Sequence, residues 1–329
     1  MKILASAKLI RKALKDVCPT EVAVAFVGVG WNSLISAEHL KEIVISPRVG
    51  SNPLAIEQLI KTIGISNVHL LDRLHSKIYL SDQRALLGSC NLSANGTADA
   101  GNFEAAVLLD TPASIRSLKA EFIKYKLAAQ KQYKTAESKW RRLELLMAQR
   151  RQCEVAGVVS VNKAPKLAEY ESRLHRIHLV WFEDGKLKYD KANVNAADPE
   201  STGRRLDDYY EDDMQFHHDD DVRVGDWLLC WKCRRDGYPD RRGNIYWMAV
   251  DVVIRHGYQD ETYTKLVAQR KGAVGTPPFD LDAATIAAIR ENLDSGVFPK
   301  LLRADSKPWK LNPADKVWPL FLKRIKQCV

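Results

Sequence analysis

The sequence has no apolar run near the roughly 20 residues that span a bilayer, which excludes a membrane-spanning helix. Its six cysteines, Cys18, Cys90, Cys153, Cys230, Cys233 and Cys328, are scattered over 329 residues. That excludes the dense framework of a small disulfide-held domain. The start, Met1-Lys2-Ile3-Leu4, leads straight into a charged amphipathic segment with no secretory leader, so a reducing, cytoplasmic compartment is expected. Cys230-Trp231-Lys232-Cys233 is a C-x-x-C, but no second C-x-x-C or C-x-x-H follows it. It reads as part of a buried strand, and no metal is expected there. An acidic excess is also missing. Lys and Arg number 50 against 41 Asp and Glu, a net charge of +9, which favours an anionic partner.

What is present describes a globular chain: 46% of its residues are hydrophobic and 28% charged. The length suits two domains. The charge is unevenly placed. Residues 111 to 155 hold eleven Lys and Arg against four Asp and Glu. Residues 198 to 221 hold ten acids and two arginines, and read as a mobile, solvated loop from Asp207 to Asp221.

The most informative stretch is Leu74-His75-Ser76-Lys77-Ile78-Tyr79-Leu80-Ser81-Asp82, followed by Gly88-Ser89-Cys90-Asn91. Two short apolar runs flank the polar turn Ser81-Asp82-Gln83-Arg84, which predicts a hairpin. His75 and Lys77 are two apart, so they share one face of a strand. Ser89 and Asn91 do the same on the returning segment. The chemistry of such a patch is phosphoryl transfer. A neutral imidazole is a nucleophile near neutral pH. Lys77 brings positive charge, and Ser89 and Asn91 bring donors to phosphoryl oxygens. A nucleophilic histidine needs its second ring nitrogen held, and Glu104, which opens the strand Ala105 to Leu109, is the candidate.

These residues resemble the phospholipase D superfamily, whose signature reads H-x-K-x4-D followed by G-S-x-N. His75, Lys77, Asp82, Gly88, Ser89 and Asn91 match it, with one residue fewer than usual between Asp82 and Gly88. The resemblance implies catalytic roles for His75, Lys77, Ser89, Asn91, Asp82 and Glu104 and covers roughly residues 1 to 130. It implies a mixed sheet flanked by helices, with strands at Val22 to Gly28 and Ile43 to Ser46 and a helix from Asn52. The family's site is similar to a two-fold arrangement in which one histidine becomes a phosphohistidine and the other protonates the leaving oxygen. This chain carries a single copy: His175 to His178, His217-His218 and His256 do not repeat it. A second chain is then expected, in an isologous dimer. Single-copy members look like nucleases and restriction enzymes, with no cofactor.

The rest of the chain is read for organisation. An amphipathic helix is expected over residues 3 to 18. A phospholipase D-like catalytic domain over 1 to 128 is followed by a basic helical linker over 129 to 152. Arg141 and Arg142 of this linker are candidate nucleic-acid contacts. Residues 153 to 329 predict a β-rich, barrel-like domain, with strands at Ile177 to Phe182, Val224 to Trp231 and Ile245 to Ile254. Helices near Ala283 to Asn292 and Trp318 to Gln327 close it. Trp181, Trp227, Trp231 and Trp247 read as core residues. The domain is weakly similar to small PUA/EVE barrels, while single-copy restriction enzymes carry a B3-like barrel; both bind nucleic acid. Arg234, Arg235, Arg241 and Arg242, in a Gly/Pro-containing loop, are the candidate recognition residues. The expected activity is metal-independent DNA endonucleolysis by a homodimer. The alternatives are a lipid or other small phosphodiester hydrolase, or an RNA nuclease.

Overall fold

The computed structural model describes residues 2–93, 96, 102–158, 163–183, 185, 187–234, 238–273, 275–298 and 309–329. The chain divides into two compact units, Met1–Arg150 and Arg151–Val329.

The first unit is built on a seven-stranded sheet. Its elements are β1 (Lys2–Leu4), α1 (Ala7–Val17), β2 (Glu21–Val24), β3 (Glu42–Ile45), α2 (Pro53–Ile63), β4 (Val68–Leu70), β5 (Lys77–Leu80), β6 (Ala85–Gly88), β7 (Ala106–Leu109), α3 (Pro112–Gln132) and α4 (Ala136–Val155). The strand order is β1-β7-β6-β5-β2-β3-β4. β2, β3 and β4 are mutually parallel and the remaining neighbours antiparallel. The central strands are uniformly apolar because helices cover both faces. Val22, Ala23, Val24, Ile43, Val44 and Ile45 are wholly buried. At about 1.5–3 kcal/mol for each large aliphatic side chain, these two strands anchor the sheet.

The expected helix over residues 3 to 18 is shorter, and a strand precedes it. Lys2–Leu4 pairs with β7, and Ser6, in extended backbone, caps α1 by accepting a hydrogen bond from the Leu9 amide. The same device starts α2 at Asn52 and α3 at Thr111, each with proline in the first turn. Segment Ser81 to Arg84 is the turn of the predicted hairpin, and β5 and β6 pair antiparallel across it. α3 packs on β2 to β5, and Phe122 and Ala129 lie against Ala23, Val44, Ile78 and Leu80. The start of α4 is tied to the same unit by Lys139, whose ammonium donates to the carbonyls of Ile65 and Val68.

The second unit contains β8 (Ile177–Phe182), α5 (Lys191–Ala197), α6 (Leu206–Tyr209), β9 (Tyr210–Phe216), β10 (Trp227–Lys232), β11 (Ile245–Ala249), β12 (Val252–Ile254), β13 (Lys265–Arg270), α7 (Ala283–Asp294) and α8 (Ala314–Gln327). The described strands form two separate three-stranded sheets, β11-β10-β8 and β12-β13-β9, rather than a closed barrel. β8 and β10 run parallel, which hairpins alone cannot produce. Val180, Met214, Phe216, Leu228, Cys230, Met248 and Val267 form one cluster drawn from both sheets. The other face of β8-β10-β11 packs on α7 and α8 through Leu179, Trp227, Trp231, Ile289, Trp318 and Phe321. Trp227 and Trp231 are buried there, and Trp181 and Trp247 are partly buried against the same cluster.

Two expectations need correction. The run Ile245 to Ile254 is not one strand but β11 and β12, in different sheets. Asp251 stands at the break: it accepts from the Arg151 guanidinium at 2.8 Å and from the Arg270 amide, so a carboxylate fixes the corner. The acidic stretch 207 to 221 is not a loop throughout, for it contains β9. There Tyr210, Met214 and Phe216 are buried at even spacing, and Asp213 accepts the hydroxyls of Tyr189 and Tyr258. Arg151 is 9% exposed and Asp251 12%, and the guanidinium also covers the Trp227 ring. Removing one partner of a buried pair costs about 3–5 kcal/mol. Asp251→Ala is therefore expected to destabilise the chain by roughly that amount in urea denaturation, whereas a loss below ~1 kcal/mol would show that the pair is not an anchor.

Candidate active site

The site forms where β5 begins and β6 ends. The register places Ile78 opposite Leu87, so the start of β5 and the Gly88-Ser89 end of β6 lie side by side. Side chains alternate along β5. Ser76 turns to the α3 face, where its hydroxyl donates to the Tyr125 hydroxyl at 2.9 Å, and Ile78 lies on the same face. His75 and Lys77 therefore project to the opposite face. The Tyr125 hydroxyl thus fixes the alternation.

Lys77 is 7% exposed, and its ammonium donates to the His75 carbonyl at 2.8 Å. Burial lowers its pKa below the ordinary lysine value, while the nearby Glu104 carboxylate opposes that shift. His75 itself is exposed, and its ring has no hydrogen-bond partner among the described residues. Beneath them Tyr79 is fully buried and donates its hydroxyl to the Cys90 carbonyl at 3.0 Å. Burial pushes the Cys90 thiol up to about 11, so it is no nucleophile near neutral pH.

Gly88, Ser89 and Asn91 have separate jobs. A Cβ on Gly88 would lie 2.5 Å from the Ala105 carbonyl oxygen and 2.7 Å from the Ala106 Cβ. Only glycine lets β6 approach β7 this closely. Ser89 is then pinned on both sides: its amide donates to the Ala105 carbonyl at 2.9 Å, and its hydroxyl accepts from the Ala105 amide at 3.1 Å. The Ser89 hydroxyl donates to the Glu104 carboxylate. The Asn91 side-chain carbonyl accepts from the Phe26 amide at 3.0 Å, just beyond β2. That bond spends the carbonyl and leaves the Asn91 NH2 as a donor.

Lys77, Ser89, Asn91 and Glu104 thus gather with His75 at one end of the sheet. Asp82 does not join them. It is exposed in the turn at the other end of the hairpin, separated from Lys77 by roughly 16 Å of extended chain. Glu104 does not hold His75 within the chain; it holds Ser89 and sets the field around Lys77.

The arginine candidates separate too. Arg142 is half-buried and pairs with Asp72 at 3.5 Å, a structural contact within the first unit, while Arg141 is exposed. Arg241 and Arg242 are exposed, with Arg241 3.6 Å from Asp294. The Arg234 amide donates to the Tyr238 carbonyl, and Arg235 lies outside the described residues. Cys230 is buried against Met214, and Cys233 donates to the Tyr238 carbonyl. Among the described residues, His217, His218 and Asp219 bring metal-ligand atoms within 4.8 Å of one another. However, the His217 Nδ1 accepts the Asp219 amide, the His218 Nδ1 meets the Thr262 carbonyl, and the Lys310 ammonium stands 3.7 Å from Asp219. No described helix is long and apolar enough to cross a membrane.

No family model and no curated protein matches the chain. Solved structures are similar over part of it, among them three. NucT from Helicobacter pylori covers 39% of this chain and 95% of its own, at 19% identity and a TM-score of 0.30. Nuc from Salmonella typhimurium, a phospholipase D family member, covers the same shares at 16% identity and a TM-score of 0.31. The archaeal chromatin protein TrmBL2 covers 38% of this chain and 50% of its own, at 16% identity and a TM-score of 0.26.

The Glu104 field has a measurable consequence. It raises the Lys77 pKa against the effect of burial, so Glu104→Gln is expected to move Lys77 titration to still lower pH. Carbon-13 detection of the Lys77 side chain across pH 7 to 12 would read the shift. A midpoint unchanged from the wild type would mean that Glu104 does not act on Lys77.

Proposed function

We propose that this protein is a metal-independent DNA endonuclease of the phospholipase D type, whose active site is shared by two copies of the chain. What carries the reading is an exposed imidazole with no hydrogen-bond partner among the described residues, two residues before a buried ammonium, with Ser89, Asn91 and Glu104 converging on the same end of the sheet. In this scheme a ring nitrogen of His75 attacks phosphorus, and an N–P bond forms as the ester P–O bond breaks. The leaving oxygen takes a proton from His75 of the partner subunit. That imidazole then takes a proton from the water that breaks the N–P bond, which restores both rings. Lys77 and the Asn91 NH2 hold the phosphoryl oxygens, where most of the stabilisation in phosphoryl transfer arises. Glu104 is occupied by Ser89 in its own chain, and in this scheme it is assigned to orient the imidazole of the second copy.

The need for a partner has a second support. Ile3, Val107, Leu87 and Ile78 are successive cross-strand neighbours from β1 to β5, so they share one face of the sheet. Ile78 is buried under α3, but Leu87 is 38% and Ile3 70% exposed, and Phe103, next to Glu104, is fully exposed. An apolar strip that runs out from under its helix beside the site suits burial against a second copy. The second unit, with its exposed Arg241 and Arg242, is assigned to target selection, as in restriction enzymes.

The expected outcome is cleavage of plasmid DNA in EDTA, lost by roughly 10⁴-fold or more in His75→Ala, with phosphatidylcholine and RNA as parallel substrates. Strict dependence on magnesium would overturn the mechanism, and faster turnover of the lipid or RNA would overturn the substrate. Leu87→Glu with Phe103→Glu is expected to give a folded monomer in sedimentation analysis with its cleavage lost. A monomer that still cuts would remove the shared site.

A further inference from the structure

The first unit carries almost all of the excess charge. Residues 1–150 hold 21 Lys and Arg against 13 Asp and Glu, which accounts for +8 of the net +9. The second unit pairs several of its arginines internally, with Arg151 on Asp251, Arg176 on Asp226 and Asp221, Arg223 on Asp221, and Arg270 on Asp198. In the first unit part of the excess collects on α1. Its apolar side, Ile10, Ala13, Leu14 and Val17, is buried. Its other side carries Lys8, Arg11, Lys12 and Lys15, each three or four residues from another cation. Such like-charged neighbours destabilise a helix by about 0.2–0.5 kcal/mol per pair. Lys15 in the last turn suits the helix dipole; the dipole does not account for the other three.

These cations do not stand on a flat surface. Arg11, Lys12 and Lys15 line a groove of about 380 Å³ together with Asp16, Ser33 and Leu34. Lys8, Lys12 and Lys15 form no ion pair among the described residues. Among the described lining residues Asp16 is the one carboxylate, against three cations. Ser33 donates its hydroxyl to the Gly30 carbonyl at 2.8 Å, within the crossover from β2 to β3.

The topology connects this groove to the site. β1, β7 and β6 are successive antiparallel neighbours, so β1 and β6 run in the same direction. Two residues after β1, α1 therefore starts at the end of the sheet where β6 delivers Ser89. α1 packs on β5 and β6, and Lys77 projects to the face opposite α3. At about 1.5 Å per residue, Lys12 and Lys15 lie roughly 8 and 12 Å along the helix from its start, a span of several phosphate steps at ~3.4 Å axial rise per strand.

We infer that the groove between α1 and the β2–β3 crossover is a second phosphate-binding site, which grips the backbone of a polynucleotide strand a few nucleotides from the scissile bond. This rests on the polynucleotide reading of the site. It assigns Lys12 and Lys15 to substrate binding and not to chemistry, and makes the first unit, not only the second, a determinant of affinity.

The test uses the full chain carrying Lys12→Ala and Lys15→Ala, both exposed, with an unchanged melting temperature as the control for folding. Affinity for a labelled duplex is read by anisotropy from 50 to 300 mM NaCl, and hydrolysis of bis(p-nitrophenyl) phosphate is read in parallel. The expected result is a log–log salt slope shallower by about 1.8, at ~0.9 per lost phosphate contact. DNA affinity should fall at least tenfold, while turnover of the small diester stays within twofold of wild type. An unchanged slope and affinity would overturn the inference. So would equal competition at this site by inorganic phosphate at the same phosphate concentration, which would mark a site for free anions. A wild-type chain that hydrolyses neither DNA nor the small diester would remove the proposed chemistry, and the salt slopes would still decide the groove.

Discussion

The burial of one ammonium organises the candidate site of this protein. Lys77 opens β5 with little of its side chain exposed, and an isolated buried cation is costly. Two features make it tolerable: the His75 carbonyl accepts its proton at 2.8 Å, and the Glu104 carboxylate lies close enough to raise its pKa. Each ties Lys77 to another part of the site. The carbonyl bond fixes the backbone of the residue whose ring is free, and Glu104 arrives only because Gly88 lets β7 close on β6. Lys77 therefore holds together a strand start, a strand end and a neighbouring strand. Replacing it with an apolar residue would ease the burial and remove the site's charge, which is the usual conflict between stability and function.

Much of this was legible in the sequence because its code is local. The spacing of His75 and Lys77 put them on one face, and the polar turn at Ser81 to Arg84 made the hairpin. Ser89 and Asn91 returned to the same end for the same reason. What was not legible depended on which neighbour a side chain meets. Glu104 was read as the partner of His75, yet within the chain it meets Ser89, because the β6–β7 register is set by Gly88 and not by any spacing rule. Asp82 was carried over from a motif; its place in the turn follows from the length of β5. In the second unit, β9 was hidden by acidic residues: Tyr210, Met214 and Phe216 alternate correctly, but the surrounding aspartates mask the pattern until Tyr189 and Tyr258 supply their partners. The break between β11 and β12 was hidden in the opposite way. The run is apolar on both sides of Asp251, and only the distant Arg151 explains why the strand turns there.

The two units solve their charge problems differently, and that difference bears on function. The second unit has nearly equal numbers of acids and bases and pairs many of them, some at low exposure, as Arg151 with Asp251 and His178 with Asp226. Such pairs specify packing more than they stabilise it. They also leave little long-range field. The first unit leaves Lys8, Lys12 and Lys15 of α1 without an ion pair among the described residues, and it exposes an apolar strip from Ile3 to Leu87 with Phe103 beside Glu104. A fold that needed only to be stable would have covered the strip and alternated the charges.

The strip and the groove also lie on opposite sides of the sheet. The strip belongs to the α3 face, because it continues the row of Ile78; the groove belongs to α1, on the face to which Lys77 projects. A partner docked on one face therefore leaves the other face clear for a strand. His75 belongs to that second face, at the end of the sheet where β5 begins. In the proposed dimer the sheet separates the surface that would recruit the second chain from the surface that would hold the substrate, and the partner's histidine has to reach the substrate face around the end of the sheet.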